Sequence, residues 1–201
     1  MGYPNPPGAV QDPLGLRSRK LVSAKVLIDL LRRFPATCRI APAALPVGDI
    51  ARLLHGAVGG AQLERAPLRS GDGEGVGIYI ALDSGVYRYD RYTCLLYMMS
   101  SQDIRPGLSL LDRLPPAPLN LLYVGRTGNG AHLREEDTAV LSALNTAALC
   151  EQVAHFCAAE GLATAARGWL ERGLLAAAIG LPQDEHLLLV QSVGYPGRAG
   201  A

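Results

Sequence analysis

The chain has 201 residues, 49% hydrophobic and 18% charged, with a formal net charge of +1. That suffices for one globular domain with a real core, and it excludes a chain built to blanket nucleic-acid phosphates, which needs a basic face. No stretch reaches the roughly 20 apolar residues of a membrane-spanning helix.

From Met1 to Leu16 the sequence is rich in Pro and Gly and has no continuous apolar run, so it does not read as a secretory leader. A cytoplasmic protein is expected, with residues 1–18 as a Pro/Gly-rich arm and 19–201 as a single domain. The arm either lies extended on a partner subunit or has no fixed structure. Leu21 to Arg33 carries apolar residues at helical spacing, and Pro35 stops it. A second short helix is predicted from Asp49 to about His55, closed by Gly56, Gly59 and Gly60. Gln62 to Gly77 reads as an irregular loop. Its Gly-Asp-Gly-Glu-Gly run is a poor phosphate cradle, because Asp72 and Glu74 would repel the anion.

Three short β-like runs follow, at Ile78–Leu82, Val86–Tyr89 and Thr93–Met99. Asp83-Ser84-Gly85 and Asp90-Arg91 separate them, which predicts a small antiparallel meander. Tyr79, Tyr87, Tyr89, Tyr92 and Tyr97 are expected to pack within it. A helical turn over Pro106–Leu114 precedes an apolar strand at Leu119–Val124, and Arg126–His132 is a Gly-rich loop.

The longest helix is predicted from Glu135 to Glu160. Three acids occupy its first turn, where the helix dipole favours them. Its body is apolar nearly all round, so it should be buried, and in so short a chain a dimer would supply the cover. Gly161 ends it. A strand from Ala163 to Gly168, a helix from Glu171 to Ile179 and a strand from His186 to Val193 complete the pattern.

Four cysteines occur without a CxxC pair. Cys150 and Cys157, seven apart on one helix, lie about 10 Å apart, too far to bridge. The four cysteines read as reduced, buried small hydrophobes, and four dispersed histidines suggest no metal site. Neither a GxGxxG turn after a strand nor a GxxxxGK[ST] loop is present, and no Ser/His/Asp or Cys/His constellation stands out.

The order of elements, together with Ala117-Pro118-Leu119-Asn120-Leu121-Leu122-Tyr123-Val124, Phe156 to Thr164, Arg167-Gly168 and Leu189-Val190-Gln191-Ser192-Val193-Gly194-Tyr195-Pro196, resembles the nitroreductase-like FMN family. Within it the match is to the McbC-like branch related to thiazole/oxazole peptide dehydrogenases, as a divergent member. Leu45-Pro46, Ala51 to Leu54 and Gly85 to Asp90 extend the likeness into the first half. The resemblance implies an α+β fold with a central antiparallel or mixed sheet flanked by helices. It also implies an intertwined homodimer with FMN sites at the interface, fed by NAD(P)H or a substrate.

The resemblance also assigns candidate FMN residues. The family's phosphate motif, of Arg-Ser-x-Arg type, falls without a gap on Pro35-Ala36-Thr37-Cys38, where both arginines and the serine are lost. Shifted by one, Thr37 and Arg39 stand in for the serine and the second arginine. Arg65 and, with a shift, Ser70 fall on the second loop motif. Gln152 takes the place of an Asn on the long helix. The turn Ala165-Ala166-Arg167-Gly168 falls where backbone amides face the flavin ring edge, and Arg198 where a basic phosphate contact sits. No catalytic side chain is assigned.

The implied activity is hydride transfer through flavin to or from a small molecule or an azoline-type substrate. A degenerate relative that binds a ligand or partner, or a non-catalytic subunit, stays open.

Overall fold

The structure is a computed structural model that describes residues 39–59, 76–109, 115–126, 135–168 and 170–197. The predicted helix at Leu21–Arg33, the arm at 1–18 and most of the loops at 62–77 and 126–132 lie outside them.

Helix α1 (Val47–Val58) follows Pro46, whose carbonyl accepts the amides of Asp49 and Ile50. It buries Ile50, Leu53, Leu54, Ala57 and Val58, the i, i+3, i+4, i+7, i+8 stripe of an amphipathic helix. Strands β1 (Gly77–Leu82), β2 (Gly85–Asp90) and β3 (Leu95–Ser100) form the expected meander. The second turn is longer than the sequence suggests and holds Thr93 and Cys94, which therefore precede β3 rather than belong to it. After the short helix α2 (Arg105–Ser109) come β4 (Leu119–Arg126), α3 (Glu135–Ala159), β5 (Ala163–Arg167), α4 (Arg172–Ile179) and β6 (Glu185–Gly194).

The six strands form one sheet in the order β3-β2-β1-β4-β6-β5, and every pairing is antiparallel. This is an α+β architecture. One face of the sheet carries Ile78, Ile80, Leu121, Tyr123, Leu189 and Val193 against Leu53, Leu54, Cys150, Val153 and Cys157 of α1 and α3. The other carries Tyr79, Ala81, Leu122, Val124 and Val190 against Leu108, Leu175 and Ile179 of α2 and α4. Strand β4 is buried on both faces along all but its last residue. That explains its nearly unbroken apolar run, since alternation appears only where one face meets water. Each fully buried leucine there contributes about 1.5–3 kcal/mol.

Within the single chain, helix α3 leaves Glu136, Leu144, Glu151, His155 and Ala158 exposed. Its buried side also carries the polar side chains Thr138, Ser142, Asn145 and Thr146, which a count of apolar residues hides. The tyrosines divide as well, with Tyr79 and Tyr89 buried and Tyr92 and Tyr97 exposed.

The end of α3 is as expected. Gly161 sits at φ +69, the Leu162 amide reaches back to the Cys157 carbonyl at 2.7 Å, and the Gly161 amide to Ala158. This paired closure needs a left-handed residue, which glycine supplies without a Cβ penalty. Gly180, at φ +75, ends α4 in the same way.

Candidate functional site

Strand β5 lies at one edge of the sheet, and its register sorts its side chains by face. Thr164 pairs with Val193 and Ala166 with Gln191, on the side of α1 and α3. Ala165 pairs with Ser192 and Arg167 with Val190, on the side of α4. An edge strand leaves one row of backbone groups unpaired, and among the described residues no other strand closes the approach to Ala166-Arg167-Gly168 from outside the sheet.

Arg167 is anchored inward. Its guanidinium donates to Ser192 Oγ at 2.5 Å, the Ser192 hydroxyl donates to Asn120 Oδ1 at 2.6 Å, and the Asn120 amide donates to the Ala117 carbonyl at 3.5 Å. This relay crosses from β5 through β6 to β4. Asn120 and Ser192 are fully buried, where a hydrogen bond to a charged group contributes about 1.5–3 kcal/mol. Arg172 holds the turn that follows: one of its amino groups donates to the Gly168 carbonyl at 3.0 Å and its Nε to the Leu187 carbonyl at 3.0 Å. The turn that the sequence marks as the best candidate is thus fixed on both sides.

On the opposite face, Gln191 accepts from the Tyr123 hydroxyl at 2.5 Å and donates to the Cys150 carbonyl at 3.0 Å. That bond draws this stretch of α3 over β6. Two residues further along α3 stands Gln152, on the flank it shares with Asn145 and Phe156 by helical spacing. Its Oε1 is buried and has no hydrogen-bond partner among the described residues, and the same is true of Thr146 Oγ1 and Thr164 Oγ1. Buried polar atoms are normally paired, so each of these three oxygens, two on α3 and one on β5, is open to a polar partner. Cys150 and Cys157 offer no chemistry there, because burial pushes each thiol up to about 12.

Arg39 belongs to a second place. Its carbonyl accepts the Gly197 amide at 2.6 Å, and Ile40 bridges Pro196, so its exposed side chain stands beside the C-terminal end of the β6 segment. Val190, opposite Arg167, is six residues from Pro196, at most about 20 Å at the rise of a strand. Arg39 and the β5 turn therefore occupy opposite ends of the β5–β6 edge. Of the other candidates, Thr37, Arg65, Ser70 and Arg198 lie outside the described residues. Asn120 and Ser192 went unassigned in the sequence reading. Their signal was nonetheless present: polar residues inside apolar strand runs, one in Leu-Asn-Leu-Leu and two in Val-Gln-Ser-Val.

The model of the nitroreductase family matches residues 46–195. No curated protein matches the sequence. Among solved structures, a candidate nitroreductase from Ralstonia eutropha JMP134 is 26% identical with a TM-score of 0.73, covering 99% of this chain and 89% of that one. The E. coli microcin synthetase McbBCD complex, solved with truncated pro-MccB17 bound, has a chain that is 17% identical with a TM-score of 0.68, covering 83% of this chain and 70% of that one. The NADPH:FMN oxidoreductase from Vibrio harveyi complexed with NAD+ is 13% identical with a TM-score of 0.53, covering 86% and 69%. Three quarters of the chain match the family and its fold is shared by these structures: this protein belongs to the nitroreductase family.

Proposed function

We propose that this chain is an FMN-dependent oxidoreductase that works as a homodimer, with flavin seated along the β5–β6 edge. The observation that carries this reading is that Gln152, Thr146 and Thr164, on α3 and β5, have buried oxygens without a partner among the described residues, while Arg167 and Arg172 hold the turn that ends β5. In a member of this family such open acceptors fit the polar edge of a flavin. When bound, FMN would supply two-electron hydride acceptance and donation, the chemistry that side chains lack.

The chain's own residues would orient it. Those backbone amides of Ala166-Arg167-Gly168 that point away from β6 suit the ring edge where negative charge develops on reduction, since fixed donors there need no reorganisation. Gln152 and Thr164 would accept hydrogen bonds, and Thr37 and Arg39 would serve the phosphate end together with Arg198. Arg65 and Ser70 would come from the loop before β1. FMN has its phosphate at one end and its ring at the other, so residues serving the two ends must lie apart, as Arg39 and the turn do. NAD(P)H is the proposed electron donor, and a small molecule or azoline-type peptide the proposed substrate.

Titration of the purified protein with FMN tests the reading through flavin fluorescence and the absorbance band near about 450 nm. Saturable binding is expected. Gly168→Pro should abolish it, and Arg39→Ala should weaken it about tenfold, the equivalent of one charge-assisted contact. A protein that ignores FMN overturns the proposal. It would favour a non-catalytic relative, the reading supported by the loss of both motif arginines across Pro35-Ala36-Thr37-Cys38. Light scattering that reports a monomer would remove the dimer.

A further inference from the structure

At the far edge of the sheet from β5 lies a side-chain cluster that the flavin reading does not use. The β2–β3 turn, residues 91–94, is pinned by the Asp90 carboxylate, which accepts the Tyr92 amide at 2.9 Å and the Thr93 hydroxyl at 2.8 Å. Its last residue, Cys94, sits at φ +56, the one non-glycine residue with positive φ among those described. A side chain held there is strained and persists because its surroundings hold it. The sequence suggested that all four cysteines are buried. Cys94 is instead exposed, whereas Cys150 and Cys157 are buried.

The Cys94 sulfur lies 3.7 Å from Nδ1 of His55, on the last turn of α1. With the ring proton on Nε2, Nδ1 is the acceptor and the thiol the donor. Beside them is Tyr89, 5% exposed, whose hydroxyl is buried with no acceptor at hydrogen-bonding geometry among the described residues. Burial and the adjacent Cys94 sulfur together push the Tyr89 phenol up. A buried donor without an acceptor, set against a thiol, gains one when that thiol becomes a thiolate. Cys94 therefore has a base on one side and a donor waiting for its anion on the other. Exposure to reagents and a base within reach of the thiol proton are two conditions of a reactive cysteine.

We propose that Cys94 is a thiol-modification site, activated by His55 and Tyr89, that undergoes exchange with low-molecular-weight disulfides. The Cys94 proton passes to His55 Nδ1 as the sulfur attacks one sulfur of the disulfide. The new Sγ–S bond forms as the old S–S bond breaks, and the departing thiolate takes the proton from His55 and leaves as a free thiol. Cys94 is oxidised to a mixed disulfide and the leaving half is reduced. Five strand spacings separate β3 from β5, roughly 24 Å, so this site stands independently of the flavin reading.

The test uses the full-length protein with 5,5′-dithiobis(2-nitrobenzoate) at neutral pH, followed by peptide mapping of the adduct. One fast equivalent is expected on Cys94, and Cys94→Ser should remove that phase. His55→Ala should slow it about tenfold and Tyr89→Phe about threefold, because one removes the base that takes the proton during attack and the other a donor to the attacking sulfur. Thermal melts of both variants identify any loss that comes from unfolding, and His55→Gln gives a second variant if His55→Ala melts early. Oxidised glutathione should leave its mixed disulfide on the same residue. A fast phase that maps elsewhere, or a rate unchanged or raised in both His55 variants, overturns the proposal.

Discussion

The tripeptide Leu-Leu-Tyr occurs twice in this chain, at 95–97 in β3 and at 121–123 in β4, with opposite fates. In β4 all three side chains are fully buried, whereas in β3 they are 53%, 41% and 51% exposed. Composition and strand propensity are the same, so neither decides burial. What differs is the neighbourhood. Strand β4 sits between β1 and β6 with helices on both faces, whereas among the described residues β3 pairs only with β2. Met98 and Met99 extend the exposed run on β3. One copy of the tripeptide forms the centre of the molecule and the other is a surface.

The sharpest break of this comparison is a pair of truncations. Leu121→Ala opens a cavity at the sheet centre and should cost about 2–5 kcal/mol, while Leu95→Ala should change stability by no more than about 0.5 kcal/mol. Urea unfolding midpoints measure both. Equal effects would mean that β3 is covered in solution.

A smaller effect is expected from the buried relay. Asn120→Ala removes the acceptor of the Ser192 hydroxyl and loosens Arg167, for a loss of about 1–3 kcal/mol in the same assay. If Arg167 serves the flavin turn through its backbone, FMN affinity should fall as well, in proportion to how far the turn relaxes.

The tyrosines give the next contrast. Tyr123→Phe leaves Gln191 Oε1 without its donor and should cost about 1–2 kcal/mol. Tyr97→Phe, whose side chain is exposed, should be silent to within about 0.5 kcal/mol.

The least effect comes from pH. Burial, with Arg172 nearby, holds His186 below the ordinary histidine range. The unfolded histidine therefore takes up its proton before the folded one does. Stability is complete above the unfolded value near about 6.5 and declines as pH falls toward the folded one. His186→Gln should flatten the stability profile between about pH 7 and 5, read from melting temperatures at fixed ionic strength.

Much of the fold was legible because its signals are local. Alternating and continuous apolar runs placed β1, β2, β4 and β6 to within a residue or two. The stripe at Ile50, Leu53 and Leu54 placed α1, and Gly161 placed the end of α3. The resemblance pointed to the turn Ala166-Arg167-Gly168 and to Gln152 as candidates, and the structure puts the turn at the end of β5 and Gln152 on α3. The partners of Arg167 were not, because Ser192 and Asn120 lie 25 and 72 residues from their bonding partners. No short window of sequence contains that relay. Nor could Cys94 be told from Cys150 by type. One stands in a strained turn beside His55 and the other beneath a helix, and only chain folding separates them.

The sequence by itself determined most of the described helices and strands and which family the chain resembles, since propensity and periodicity act over a few residues, whereas the ends of α1, α2 and β3 departed from it. The tertiary structure alone decided which Leu-Leu-Tyr is core, which face of α3 meets solvent, and which polar atoms are left waiting for a partner. Burial is a property of neighbours brought together across the sheet, and a residue's neighbours are not written at its own position in the chain.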